Sequence, residues 1–219
     1  MGSVTSSSLP TERNTSARAS SSAITRWTVP VTESVLHVQW QSWDNSTDEQ
    51  FALRWDNGGW VAEGSVSGAN VHYVLRLGEN LDLRQFLLFR DLDEPDLWLV
   101  RDSTGRWGEM NGGERQDLLG CGPVSLGCSP SATLIAIRSL DLEVGGRAEL
   151  MAATVDTETL SVVPAAHVFT RLDTHRWHLE VGQFGFSTVF DVDDEGVLIQ
   201  SPGWFRRVAP PPEWPTLLP

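Results

Sequence analysis

Gly120-Cys121-Gly122 sets a thiol between two glycines, a placement that can present a cysteine nucleophile. Such a thiol works only with a positioned base, and none is visible at a fixed spacing, so a tight turn around a buried cysteine is the expectation. Cys121 and Cys128 are the only cysteines. With no histidine pattern beside them they do not resemble a zinc site, and two are too few for a disulfide framework. We expect both to be reduced and buried. Among the histidines, His37, His72 and His178 fall on the polar phase of strands and are expected at the surface, while His175 belongs to a turn. A serine nucleophile would want a strained elbow such as G-x-S-x-G, which is missing.

Acids cluster at Asp91/Asp93/Glu94/Asp96 and at Asp191/Asp193/Asp194/Glu195. Neither cluster follows an ordered calcium-loop pattern, and both stand where strands need polar turns. Paired carboxylates for sugar hydrolysis need a separation in space that a sequence does not display. Arginines are the more suggestive polar groups. Arg76, Arg138 and Arg171 sit beside apolar positions. From the mouth of an apolar cavity each could grip a phosphate or sugar head group bidentately; the plainer reading is a surface arginine lying over its neighbours.

Short alternating strands must position these groups. Leu36, Val38 and Trp40 alternate with His37, Gln39 and Gln41, and Phe51, Leu53 and Trp55 repeat the pattern. Asp56-Asn-Gly-Gly59 supplies hairpin chemistry before Trp60. Val71, Tyr73, Leu75 and Leu77 make another strand, and residues 83–90 are apolar on both faces, as for a strand covered from two sides. Residues 96–101 and Trp107 flank Asp102-Ser-Thr-Gly-Arg106 as one more hairpin. The rhythm resumes from Arg147 to about Val208, with turns at Asp156, Asp173 and Asp193. One segment reads as a helix, near 129–140: Ser129 can cap, Pro130 suits the first position, and Leu134, Ile137 and Leu140 recur at roughly helical spacing. The strand phase puts Trp40, Trp55 and Trp177 inward, which gives a barrel, half-barrel or roll with an aromatic inner face.

Bulk composition bounds the class. The chain has 219 residues, 10 tryptophans, one tyrosine, and a formal charge of −13 in which every base is arginine. That acidity argues against nucleic acid and anionic membrane surfaces, both of which demand basic patches. No apolar run is long enough to span a membrane, and residues 1–25 lack the apolar core of a signal peptide, so a cytoplasmic protein is expected. Residues 1–26 read as a Ser/Thr-rich disordered tail, with a cleaved transit peptide as the alternative. Residues 27–208 read as one domain, and 209–219 as a proline-rich extended tail. No cofactor or metal motif is present, and no cofactor is expected.

Several local patterns, in order, resemble a family of small bacterial and fungal proteins named "putative glycolipid-binding". Trp40 and Glu49 come first, then Tyr73-Val-Leu-Arg76 and the Asp102–Trp107 hairpin, similar to D-G-x-G-x-W. Asp117-Leu-Leu-Gly-Cys121 looks like L-x-G-C, Ile137-Arg138 with Leu140 like P-I-R-R-L, and Phe169-Thr-Arg-Leu172 like Y-T-R-L. Arg176-Trp177, Gly185-Phe186 and Pro202-Gly-Trp-Phe-Arg-Arg-Val208 complete the series, which covers roughly residues 36–208. Two departures stand out. Pro123 and Ser125 replace acids, and in the helical segment Thr133 and Ala136 stand where the pattern has asparagine and proline.

The resemblance implies a mainly β fold, a spiral β-roll in which a strongly curved antiparallel sheet wraps around a single helix. It also implies a non-enzymatic protein that binds an amphipathic lipid or glycolipid in an apolar cavity of that sheet. The expected lining is Trp40, Trp55, Tyr73, Trp107, Trp177 and Phe186, with Arg76, Arg138 and Arg171 as head-group contacts. The alternatives are an enzyme acting on a hydrophobic metabolite through Cys121 or a buried acid, and a packed roll that works through protein partners.

Overall fold

In the computed structural model, residues 35–90 and 94–208 are described. The expected tails, 1–26 and 209–219, and the acids Asp91 and Asp93 lie outside them.

Seven strands run as an antiparallel meander: β1 (Val35–Ser42), β2 (Asp48–Asp56), β3 (Gly59–Val66), β4 (Val71–Leu77), β5 (Leu83–Phe89), β6 (Leu97–Arg101) and β7 (Trp107–Glu109). After β8 (Val124–Leu126) comes the helix α1 (Ser131–Ser139). A second meander follows: β9 (Arg147–Val155), β10 (Val162–Arg171), β11 (Arg176–Val181), β12 (Phe186–Val192), β13 (Leu198–Gln200) and β14 (Phe205–Val208). The halves join where β1 pairs with β14, so Trp40 stands opposite Arg207 and Ser42 opposite Phe205. The result is one 14-stranded sheet, strongly curved and not closed. β8 enters it parallel to β9, with α1 as the crossover between them.

Alternation sets the faces. On β1, Val38, Trp40 and Ser42 are buried while His37 is exposed; on β2, Glu49, Phe51 and Leu53 face inward. The Asp56–Gly59 hairpin closes in register, with Trp55 opposite Trp60. Trp55 corrects an expectation. It keeps the inward phase but stands at the hairpin end of β2, past the packed interior, 36% exposed and edge-on to Trp60 at 5.2 Å. His72 is a second correction: it is buried, its ring 5.9 Å from that of Phe89, because the other face of β3–β5 is itself covered at Val61, Glu63 and Val74. Leu87 and Phe89 on β5 are half-buried on that face, as two-sided apolarity predicts.

Side chains tie the curved sheet together. The Trp40 indole donates to the Leu198 carbonyl at 2.9 Å, stitching β1 to β13 across β14. At the open edges, Trp107 Nε1 and Arg101 Nε both donate to the Cys121 carbonyl at 3.1 Å, and Arg115 reaches the Val162 carbonyl at 3.0 Å. The two bonds to Cys121 draw β6 and β7 toward the start of β8 without a ladder between them, and the Arg115 bond ties the segment after β7 to β10. The helix is one turn shorter than 129–140 and buries Ser131, Thr133, Leu134, Ile135 and Ala136. Pro130, not Ser129, is its N-cap, and the Ser129 hydroxyl accepts from the Ser131 N–H at 3.1 Å.

Candidate functional site

Beneath the start of α1 a carboxylate is folded into the core. Glu49 is fully buried on the inward phase of β2. Its Oε1 accepts from the Tyr73 hydroxyl at 2.5 Å and from the Ser129 hydroxyl at 2.8 Å, while Oε2 finds no partner. Tyr73 reaches it from β4 by lying over Gly64 of β3, where a Cβ would stand 2.2 Å from the phenol ring. Only glycine at 64 permits that path. Burial pushes the Glu49 carboxyl up to about 8 against the pull of the two hydroxyls, so at neutral pH it is mostly protonated. Burial likewise raises the Tyr73 phenol, helped by Glu49.

Ser129 carries this network to the wall of a cleft of about 280 Å³. Ser125, Leu126 and Gly127 from β8 and its exit form one side, with Ala132 and Thr133 from the first turn of α1. Phe169 on β10 and Leu179 and Val181 on β11 form the floor. Phe184 ends the short helical turn Gly182–Phe184, Phe186 opens β12 just beyond it, and Trp204 closes the end. Among the described residues that line it, none carries a formal charge at neutral pH. The one titratable group, His167, is pushed down to about 4 by burial and bonds to Thr154 at 3.3 Å. Phe184, half exposed, stands at the mouth.

Trp204 is placed by a tight turn. Ser201-Pro202-Gly203-Trp204 closes with Trp204 N–H on the Ser201 carbonyl at 2.9 Å, proline in the second position and Gly203 at φ +81° in the third, as a type II turn requires. The indole then packs edge-on against Phe186 at 5.3 Å and Phe205 at 5.4 Å.

Of the nine residues expected at the site, Phe186 lines this cleft. Trp40, Tyr73, Trp107 and Trp177 are core residues, and Trp55 stands away at its hairpin. Arg76 is exposed on β4. Arg138 donates to the Glu195 carbonyl at 2.9 Å. Arg171 clamps the Leu142 carbonyl at 2.7 Å and lies 5.6 Å over the Trp177 ring. Sequence reasoning did not place Glu49 or His167 in this region. Both carry a readable signal, a polar side chain on the apolar phase of its strand. Thr133, one of the two helical departures from the family pattern, falls on the cleft wall.

Cys121 is buried in its turn and its thiol is pushed up by burial, with Asp117 adding to the effect; Cys128 is pushed up to about 11. Neither suits a nucleophile. The acids from 191 to 195 form a polar turn: Asp191 faces Arg176, Asp193 holds Arg207 and its own loop, and Asp194 meets His175. Among the described residues no His/Cys/Asp/Glu group could hold a metal ion, and no helix is long and apolar enough to cross a membrane.

Among solved structures, a DUF1089-family protein from Pseudomonas aeruginosa has the same fold, with a TM-score of 0.59 and 23% identity over 92% of this chain and 100% of the other. No curated protein matches. The model of the family described as "Putative glycolipid-binding" matches residues 37–207, a span from β1 to β14 that omits the first two residues of β1 and the last of β14. The chain belongs to that family.

Proposed function

We propose that the protein is a non-enzymatic binder of an amphipathic lipid or glycolipid, whose hydrocarbon chain lies in the cleft between the start of α1 and strands β10–β12. The observation that carries this reading is the lining: an open concave surface of aliphatic and aromatic side chains, uncharged among the described residues and ending in a few hydroxyls. Burying a chain there contributes about 0.8 kcal/mol per CH₂, so a short stretch gives useful affinity without a polar code. At about 280 Å³ the cleft is at the small end of ligand sites, which fits one chain or part of one and not a whole glycolipid. The family's name points to the same class of ligand.

The enzyme alternative loses its reactive groups. The Cys121 thiol is buried elsewhere, and Glu49 stands behind Ser129 instead of on the cleft wall. Native mass spectrometry of protein purified from its own host tests the proposal. Lipid adducts on the natural protein, absent from an Ala132→Trp variant that fills the cleft, are the expected result. Repeated recovery without lipid, or adducts unaffected by Ala132→Trp, would remove it.

A further inference from the structure

A second cleft, of about 360 Å³, lies on the other side of Gly127 and Trp204, which line both. Its chemistry is different. Ser42, Asp44, Ser46 and Thr47 give it hydroxyls and a carboxylate, and Trp43 gives it an aromatic wall. We propose that this second cleft is a subsite for a neutral sugar ring, stacked on Trp43 and hydrogen-bonded by Asp44 and its serines, while the attached chain occupies the apolar cleft. The inference rests on the lipid-binding reading above.

Trp43 is built as a platform. It is 41% exposed, yet its backbone is pinned by its N–H on the Trp204 carbonyl at 2.8 Å. The Arg206 guanidinium lies 5.8 Å over the ring centroid. Arg206 is itself held by Gln41 at 2.7 Å and by Asn45, and Gln41 is fixed in turn by Asp48 at 2.9 Å. An aromatic backed on one face by a tethered cation loses little freedom when something stacks on the other.

Asp44 sets the selectivity. Its Oδ1 accepts from Ser42 Oγ at 2.7 Å, Ser46 Oγ at 2.7 Å and Ser46 N–H at 3.0 Å. The Ser46 hydroxyl first, then its N–H and Ser42, hold the carboxyl down at about 2, so it is an anion at any working pH. All three bonds fall on Oδ1, which leaves Oδ2 to accept from ligand hydroxyls. Among the described residues no arginine lines the cleft. A fixed anion on the cleft wall, with Arg206 held against the opposite face of Trp43 by Gln41 and Asn45, disfavours phosphate, sulfate and uronate and rewards hydroxyl donors.

The junction is open. A Cβ at Gly127 would meet no atom within 4 Å, so the backbone there leaves a gap where a side chain would narrow the passage. Cys128 lines the sugar side and Ser129 the chain side. A single ligand can therefore lie across Gly127, ring on one side and chain on the other.

Calorimetric titration of the full chain with four probes below their micelle-forming concentrations tests this: n-octyl β-glucoside, 1-octanol, n-octyl sulfate and methyl β-glucoside. Octyl glucoside should bind at least about tenfold tighter than octanol and tighter than octyl sulfate. Trp43→Ala should erase the advantage over octanol while leaving octanol unchanged, and Trp43→Phe should keep most of it. Equal affinity for octyl glucoside and octanol, or an advantage indifferent to Trp43→Ala, overturns the sugar subsite and leaves the lipid reading standing. Binding of methyl glucoside as tight as octyl glucoside, with octanol silent, makes the cleft a site for free sugar and overturns the lipid reading. Silence from all four overturns both.

Discussion

Glu49→Gln is the perturbation that reads the buried network most sharply. Glutamine reproduces the protonated acid in shape, keeps an oxygen for Tyr73 and Ser129, and cannot ionise. Burial raises the wild-type carboxyl from 4.5 to about 8. Between those values the folded chain holds a proton that the unfolded chain has released, so this group's contribution to stability falls as pH rises and is fully lost above 8. Over the whole interval the loss has a ceiling of about 5 kcal/mol. The clean window is pH 6.5 to 8. His167 and His72 are both depressed by burial, so their effect has the opposite sign and is confined below 6.5. Within it Glu49 alone should remove about 2 kcal/mol, or roughly 1 M in a urea midpoint. Urea unfolding followed by tryptophan fluorescence should show the wild-type midpoint dropping from pH 6.5 to 8 and the Glu49→Gln midpoint staying level. Parallel profiles for the two proteins would refute the reasoning.

Other consequences are more local. Gly64→Ala places a methyl 2.2 Å from the Tyr73 ring, so the phenol must leave Glu49; urea unfolding should register a loss of about 3 kcal/mol or more. Trp40→Phe removes the donor to the buried Leu198 carbonyl and should cost about 2 kcal/mol by the same measurement. At pH 8 the Cys128 thiol, pushed up to about 11, should react with a disulfide dye at least about a hundredfold more slowly in the native than in the denatured protein. Reaction at the denatured rate would contradict that placement.

The strands and hairpins are legible because they are local. Trp40 and Phe51 declare their face by period two, and Asp56-Asn-Gly-Gly59 declares its turn by residue type. The helix is legible for the same reason, from Pro130 and the spacing of its leucines and isoleucines. The pairing of β1 with β14 has no local signature, since Trp40 and Arg207 meet only when the whole sheet has curled. Exposure at a strand end is equally non-local. Trp55 follows the inward phase and still reaches solvent, because the core stops short of its hairpin. The cleft is assembled from β8 and the turn after it, one turn of helix, strands β10–β12 and the Pro202-Gly203 turn. Inner-face phase alone therefore points to rings, such as Trp40 and Trp107, that the interior fills with packing. Trp43 lies just beyond the last residue of β1, where periodicity ends and gives no cue.

The central claim is that the apolar cleft takes a hydrocarbon chain, and a chain-length series tests it most directly. Calorimetric titration with straight-chain alcohols from butanol upward should give affinities rising about fourfold per methylene, the value set by about 0.8 kcal/mol each. The rise should stop at the length that fills about 280 Å³, and Ala132→Trp should flatten it. Affinity independent of chain length, or a rise untouched by Ala132→Trp, would contradict the account.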